Sequence, residues 1–346
     1  MPAPEFVMEY NAMRHHWAIG AAVAAVFAAL SPAIAGQEEA PATAPEQAAE
    51  PRLPLGDLVI DEEPSEAARP AASESAAPAA ASAPVAPPSA EERTRLAAAM
   101  ERGRLLFELA AAAQMTTRDM LERLPDPAAA GVAGWVAERD GNALDVVYYA
   151  DGAEGPEVVY RGRIVGGRIA SSELFAAGQR PPLSATQRRM AAARAAVAGL
   201  EREPCAADAP FNVFVVPPPS ADAAIDVYKL TPQTQRGRFP IGGHYRATVA
   251  PDGTVASSRA FTNRCLDLEA GAAAAGTQPA PVAVTHLLDP LPTEIHVMLS
   301  LWSGRPLLVA TGNPDRLWTI GRGRIGLVGI EQAQRPLQIP PPGPGR

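Results

Sequence analysis

The 346-residue sequence predicts an α+β fold of antiparallel β-meanders with two main helices, with room for two small α+β units. Three observations point there. Two capping boxes, Ser89-Ala90-Glu91-Glu92 and Ser184-Ala185-Thr186-Gln187, each open an Ala-rich segment free of interior proline. Asp-Gly and Pro-Asp-Gly turns separate short β-rich runs. The order is helix, meander, helix, meander, without the regular β-α alternation of a parallel sheet.

The elements follow in order. The first capping box starts a helix expected to run to about Gln114, and Thr116-Thr117-Arg118-Asp119 caps a second short one before Pro125. Strands are expected at Trp135 to Arg139, Leu144 to Ala150, Glu157 to Arg161 and Arg163 to Ala170. The second capping box opens a helix to Leu200, with Arg188, Arg189 and Arg194 read as its solvated face. Strands then recur at Phe211 to Val216 and Ile225 to Leu230. Next comes a hairpin in which His244 to Val249 and Val255 to Phe261 flank Pro251-Asp252-Gly253. A small-residue loop spans Gly271 to Pro281, and Val282 to Leu288, Thr293 to Trp302, Pro306 to Thr311 and Arg316 to Ile320 complete the expected sheet. The units are drawn at residues 89–203 and 204–335, followed by a Pro/Gly tail over 336–346.

The N-terminal quarter differs. Met13-Arg14-His15-His16 precedes an apolar run from Trp17 to Leu30, a Ser31-Pro32 break and Ala33-Ile34-Ala35 before Gly36. This is the pattern of a signal peptide over residues 1–35 with cleavage between Ala35 and Gly36; an uncleaved anchor is the alternative. Glu5 and Glu9 ahead of the basic segment are unusual in a leader and make Met13 a candidate start. No cysteine flanks the site, which argues against lipid attachment. Residues 36–88 form an Ala/Pro/Glu linker expected to be disordered, because so few apolar groups cannot offset the entropy of ordering. One island, Leu53 to Ile60, is apolar enough to dock as an edge strand or to serve as a peptide motif; the alternative is residual hydrophobicity within a linker.

The formal net charge is −8. Between Gly36 and Ala90 ten acidic residues face only Arg52 and Arg69, which accounts for the whole excess. The rest is near neutral, so no basic surface argues for nucleic acid. If the signal is cleaved, no stable membrane span remains.

Residues able to carry chemistry are few. Beyond the leader the histidines are His244, His286 and His296. Read as a strand, Thr293 to Trp302 places Glu294 and His296 on one face, opposite Ile295, Val297, Leu299 and Leu301. His244, Glu294 and His296, with His286, then make a candidate binding or acid/base face; the alternative is a polar sheet face with cross-strand hydrogen bonds. No spacing matches H-E-x-x-H or C-x-x-C, so no metal ligand set is assigned. There is no G-x-S-x-G elbow, and Ser257 and Ser258 lie on the hairpin's return strand. Gly321-Arg322-Gly323-Arg324-Ile325-Gly326 matches G-x-G-x-x-G but opens no helix, so it reads as a turn and no cofactor is expected.

Two cysteines, Cys205 and Cys265, allow one intramolecular pairing. Export to an oxidising compartment predicts a disulfide between them; two free thiols or an intermolecular bridge are the alternatives.

The runs GGHYRATV with PDG and TNRC, THLLDPLPTEIHVMLSLW, and RPLLVATG with RLWTI resemble those of uncharacterised secreted proteins of proteobacteria, over about residues 130–330. The resemblance implies secretion but no activity, and no functional residue follows from it. The expectation is an exported envelope protein, periplasmic or secreted. Its function is that of a non-enzymatic binding or scaffolding module whose partner is an envelope protein or small ligand. A hydrolase or metal-dependent enzyme using His244, Glu294 and His296 is the alternative.

Overall fold

The first helix, α1 (Ala90–Arg123), opens with both halves of its capping box formed. The Glu92 amide donates to the Ser89 hydroxyl at 3.1 Å, and the Ser89 amide donates to the Glu92 carboxylate at 2.7 Å. The helix does not stop near Gln114. Thr116 bonds the Ala112 carbonyl one turn back at 2.8 Å, and Thr117 meets the Tyr148 hydroxyl at 2.6 Å. Both hydroxyls are satisfied within the packed helix, so neither caps a new one.

The computed structural model describes residues 86–206, 209–269, 280–312 and 316–328. The signal peptide and its Ala35–Gly36 site, the linker up to residue 85 with its Leu53 to Ile60 island, most of the 271–281 loop and the Pro/Gly tail lie outside the described residues.

Strands β1 (Val132–Asp140), β2 (Ala143–Gly152), β3 (Gly155–Val165) and β4 (Arg168–Leu174) form an antiparallel meander in that order. Its centre is buried on both faces. Trp135, Val146, Tyr148 and Tyr160 join the core that contains Leu106 and Leu109 of α1. Val136, Val147 and Tyr149 join Met190 and Val197 of α2 (Ala185–Ala198). Two covered faces explain why Leu144 to Ala150 reads as a nearly continuous apolar run. The expected fourth strand begins late, because Gly166 and Gly167 both take positive φ and make the β3–β4 turn.

On α2 the arginines are only partly solvated. Arg188 is exposed, but Arg189 and Arg194 are half-buried and donate to the Ala223 and Val213 carbonyls, each at 2.7 Å. They tie α2 to a second antiparallel sheet, β5 (Asn212–Val215), β6 (Ile225–Leu230), β8 (Tyr245–Val249) and β9 (Val255–Ala260), ordered β5-β6-β8-β9. The expected hairpin is its β8–β9 pair, with Gly253 at φ +86° in the turn. A short ribbon pairs β7 (Arg238–Pro240) with β10 (Asp267–Glu269).

The third sheet has the order β11 (Val282–His286), β12 (Leu307–Thr311), β13 (Leu317–Gly321) and β14 (Arg324–Val328). Its first pair is parallel, and a parallel pair needs a crossover. The crossover is α3 (Glu294–Ser303), so the expected strand from Thr293 to Trp302 is a helix. The apolar alternation misled because every residue from Glu294 to Ser300 is buried. A helix covered all round shows no polar face to give it a 3.6-residue period. Gly304, left-handed at φ +65°, ends it. The Gly321–Gly326 run is the β13–β14 hairpin, with Arg322 at φ 52° and Gly323 at φ 73°.

All described residues fall in one compact unit. Both hydrophobic clusters contain residues from either side of the expected 203/204 boundary. α1 crosses α3 closely at Gly103, where a Cβ would stand 2.5 Å from the Val297 Cβ and 2.6 Å from the Glu294 carbonyl oxygen.

Candidate functional site: a buried histidine and carboxylate network

α3 enters the core with Glu294 in its first turn. On a helix, residues two apart point about 200° apart, so Glu294 and His296 do not share a face. Glu294 turns to the second sheet, where its Oε1 accepts from the Tyr228 hydroxyl and from Arg246, each at 2.9 Å. Tyr228 and Arg246 are register partners on β6 and β8, so the sheet presents both donors to one carboxylate. Burial, and then the Glu294 charge, push the Tyr228 hydroxyl well above the ordinary tyrosine range.

His296 faces the other way. Its Nδ1 accepts from the Thr293 amide at 3.0 Å, closing a capping box. Its ring lies edge-on to that of His286, with centroids 4.7 Å apart. Burial, and then neighbouring His286, lower the His296 pKa to about 3.

His286 ends β11 and bonds the Asp289 carboxylate through Nε2 at 2.8 Å. Arg259 of β9 grips the same carboxylate at both oxygens, at 3.0 and 2.6 Å. Burial alone would raise the Asp289 pKa. The His286 and Arg259 bonds outweigh it and hold the carboxyl well below the usual range.

His244 bonds neither group. Its Nδ1 accepts from the Thr231 amide at 3.2 Å, so Nε2 carries the ring proton and donates to the Pro240 carbonyl at 2.8 Å. Burial lowers its pKa to about 4, against the pull of that carbonyl. A void of about 20 Å³ beside it has room for about one water molecule.

The structure therefore brings His286 and His296 together, sends Glu294 to Tyr228 and Arg246, and holds His244 by backbone groups. The sequence reading missed Asp289, Arg259, Arg246 and Tyr228, which supply most of the pairing. The pairs join residues 30, 48 and 66 positions apart, beyond the reach of any local motif. Among the described residues no group of three or more His, Cys, Asp or Glu is arranged to hold a metal ion. Ser257 and Ser258 are exposed on β9, away from the buried rings.

Among the described residues an open concavity lies elsewhere. Cys205 and Cys265 are disulfide-bonded, with Cα atoms 5.3 Å apart. The bond joins the segment after α2 to the segment after β9. Between them is a groove of about 640 Å³ lined by Arg202, Tyr245, Asn263 and Arg264, among others. Gly242 and Gly243 let the walls approach. A Cβ on Gly242 would collide with the Arg264 carbonyl oxygen, and one on Gly243 would stand 2.7 Å from the Cys205 sulfur.

No protein-family model, curated protein or solved structure matches the chain.

Proposed function

We propose that the chain is an exported envelope protein acting as a non-enzymatic binding or scaffolding module. It joins the secreted proteobacterial proteins whose sequence runs it resembles. The observation that carries this reading is the state of the buried polar groups: Glu294, Asp289 and His244 each spend their hydrogen bonds on internal partners. A general base must reach a substrate proton within about 3 Å, directly or through one water. His244 has both ring nitrogens occupied, and Asp289 is held ionised by a bidentate arginine. These groups tie α3 and β11 to the second sheet, so their polar atoms are spent on the fold rather than offered to a cleft.

Export is supported by the disulfide, the state cysteines adopt in oxidising compartments. Among the described residues no helix is long and apolar enough to cross a membrane.

The experiment has two arms. N-terminal sequencing of protein recovered from the periplasm is expected to begin at Gly36; recovery only in the cytoplasm refutes export. A turnover screen with ester, phosphoester and peptide substrates is expected to be blank. Turnover that disappears in His286→Gln, with the fold retained, refutes the non-enzymatic reading.

A further inference from the structure

We propose that the groove beside the Cys205–Cys265 disulfide binds a short peptide through a carboxylate, with Arg202 and Arg264 as the cations that receive it. The proposal rests on the binding-module reading and names its ligand class. The groove's volume of about 640 Å³ lies within the range of about 300–1,000 Å³ typical of small-ligand sites.

Its walls are fixed rather than adaptable. The disulfide joins them, the Cys205 amide donates to the Thr231 hydroxyl at 3.1 Å, and that hydroxyl donates to the Gly243 carbonyl at 2.8 Å. Pre-organised walls lower the entropic cost of binding.

The charges are uncommitted. The Arg202 guanidinium lies 5.4 Å from the Tyr245 ring centroid and donates only to the Glu201 carbonyl and, at 3.4 Å, to the Ser258 hydroxyl. Among the described residues no carboxylate pairs with Arg202 or Arg264. Lys229 lies nearby and adds to the positive potential; burial, and then Arg202, lower its pKa. Its ammonium bonds the Leu200 carbonyl at 2.9 Å and sits 5.0 Å from the Phe211 ring centroid.

Glu201 and Glu203 also line the groove, and among the described residues neither forms an ion pair. Two carboxylates beside two arginines disfavour a dianion such as phosphate. They suit a ligand carrying one anionic group together with N–H donors, which is the chemistry of a peptide terminus. The Asn263 side chain supplies a donor and an acceptor of the kind that a peptide backbone matches.

The test uses the full chain with its disulfide intact, followed by NMR of the amides of Tyr245, Asn263 and Cys265. The probes are N-acetyl-Ala-Ala with a free carboxylate, the same peptide amidated, and inorganic phosphate. Saturable shifts are expected with the free carboxylate, with affinity weaker by about tenfold or more for the amide. Arg202→Gln and Arg264→Gln are each expected to weaken binding by about tenfold or more while leaving the thermal midpoint unchanged. No saturable shift, equal binding of acid and amide, binding of phosphate alone, or affinity indifferent to both substitutions overturns the proposal. The module reading survives each of those results, since it falls to cytoplasmic retention or to turnover.

Discussion

The imidazole of His296 stands edge-on to that of His286, with ring centroids 4.7 Å apart. Both rings are buried, and a buried imidazole is costly to charge. Burial first, and then the neighbouring ring, hold His296 in the neutral form.

Acid should unfold the protein through its histidines first. The folded pKa values of His244 and His296 are lowered to about 4 and about 3. A histidine depressed in the folded state contributes stability that is complete above the unfolded value of about 6.5 and is lost as pH falls through the folded value. By this linkage the difference between neutral and acid pH is on the order of 3 kcal/mol for His244 and about 5 kcal/mol for His296. Asp289 acts lower on the scale: its contribution is present above about 4 and disappears with further acidification. Urea midpoints at pH 7, 5.5 and 4.5 should fall steadily. His244→Asn, although less stable at pH 7, should show a shallower decline. An unchanged slope would mean that His244 titrates normally.

The link between α3 and the second sheet should be costly to break from one side. Glu294→Ala leaves Arg246 and the Tyr228 hydroxyl without their acceptor. Removing one partner of a partly buried pair costs about 3 kcal/mol or more. Tyr228→Phe, which leaves the ion pair intact, should cost about 1 kcal/mol. Equilibrium urea unfolding of the two variants checks the ordering, and a Glu294→Ala loss no larger than that of Tyr228→Phe would contradict it.

Much of the fold was legible in the sequence, and the site was not, for physical reasons. Capping boxes are local: Ser89 with Glu92 and Ser184 with Gln187 announce a helix start within four residues. The turn at Gly253 is equally local. A fully buried helix has no polar stripe, so the α3 sequence reads as a strand with Glu294 and His296 on one face. The carboxylate that matters to His286 is Asp289, and its arginine lies on a different sheet. Thr293 with Glu294 before the apolar run, and Gly304 after it, are the local signals for a helix.

Gly103→Ala should destabilise although alanine is the better helix former. The propensity gain is about 1 kcal/mol in an exposed helix. At this crossing the new methyl would meet the Glu294 carbonyl oxygen at 2.6 Å and the Val297 Cβ at 2.5 Å. Overpacking of this kind costs about 1–3 kcal/mol, and the main chain of α3 cannot rotate away as a side chain can. A net loss in the thermal midpoint is expected, and an increase would show that the helices separate without cost.

Losing the disulfide should lower stability more than losing either cation of the groove. Cys205 and Cys265 are 60 residues apart. The chain-entropy model gives about 4 kcal/mol for closing a loop of that length in the unfolded state. Loss of the Cys205 sulfur's packing beside Gly243 adds to this, whereas the main-chain bond from residue 205 to Thr231 is kept by serine. Cys205→Ser with Cys265→Ser should therefore fold at neutral pH with a much lower urea midpoint, and reduction of the native protein should reproduce the shift. Arg264→Gln, on the groove wall beside Cys265, should leave the midpoint within about 0.5 kcal/mol, as surface substitutions usually do. Two alkylatable thiols in denatured, never-reduced protein taken from its native cells would show that the bond does not form there. A double-serine variant as stable as the parent would show that the walls are held by packing alone.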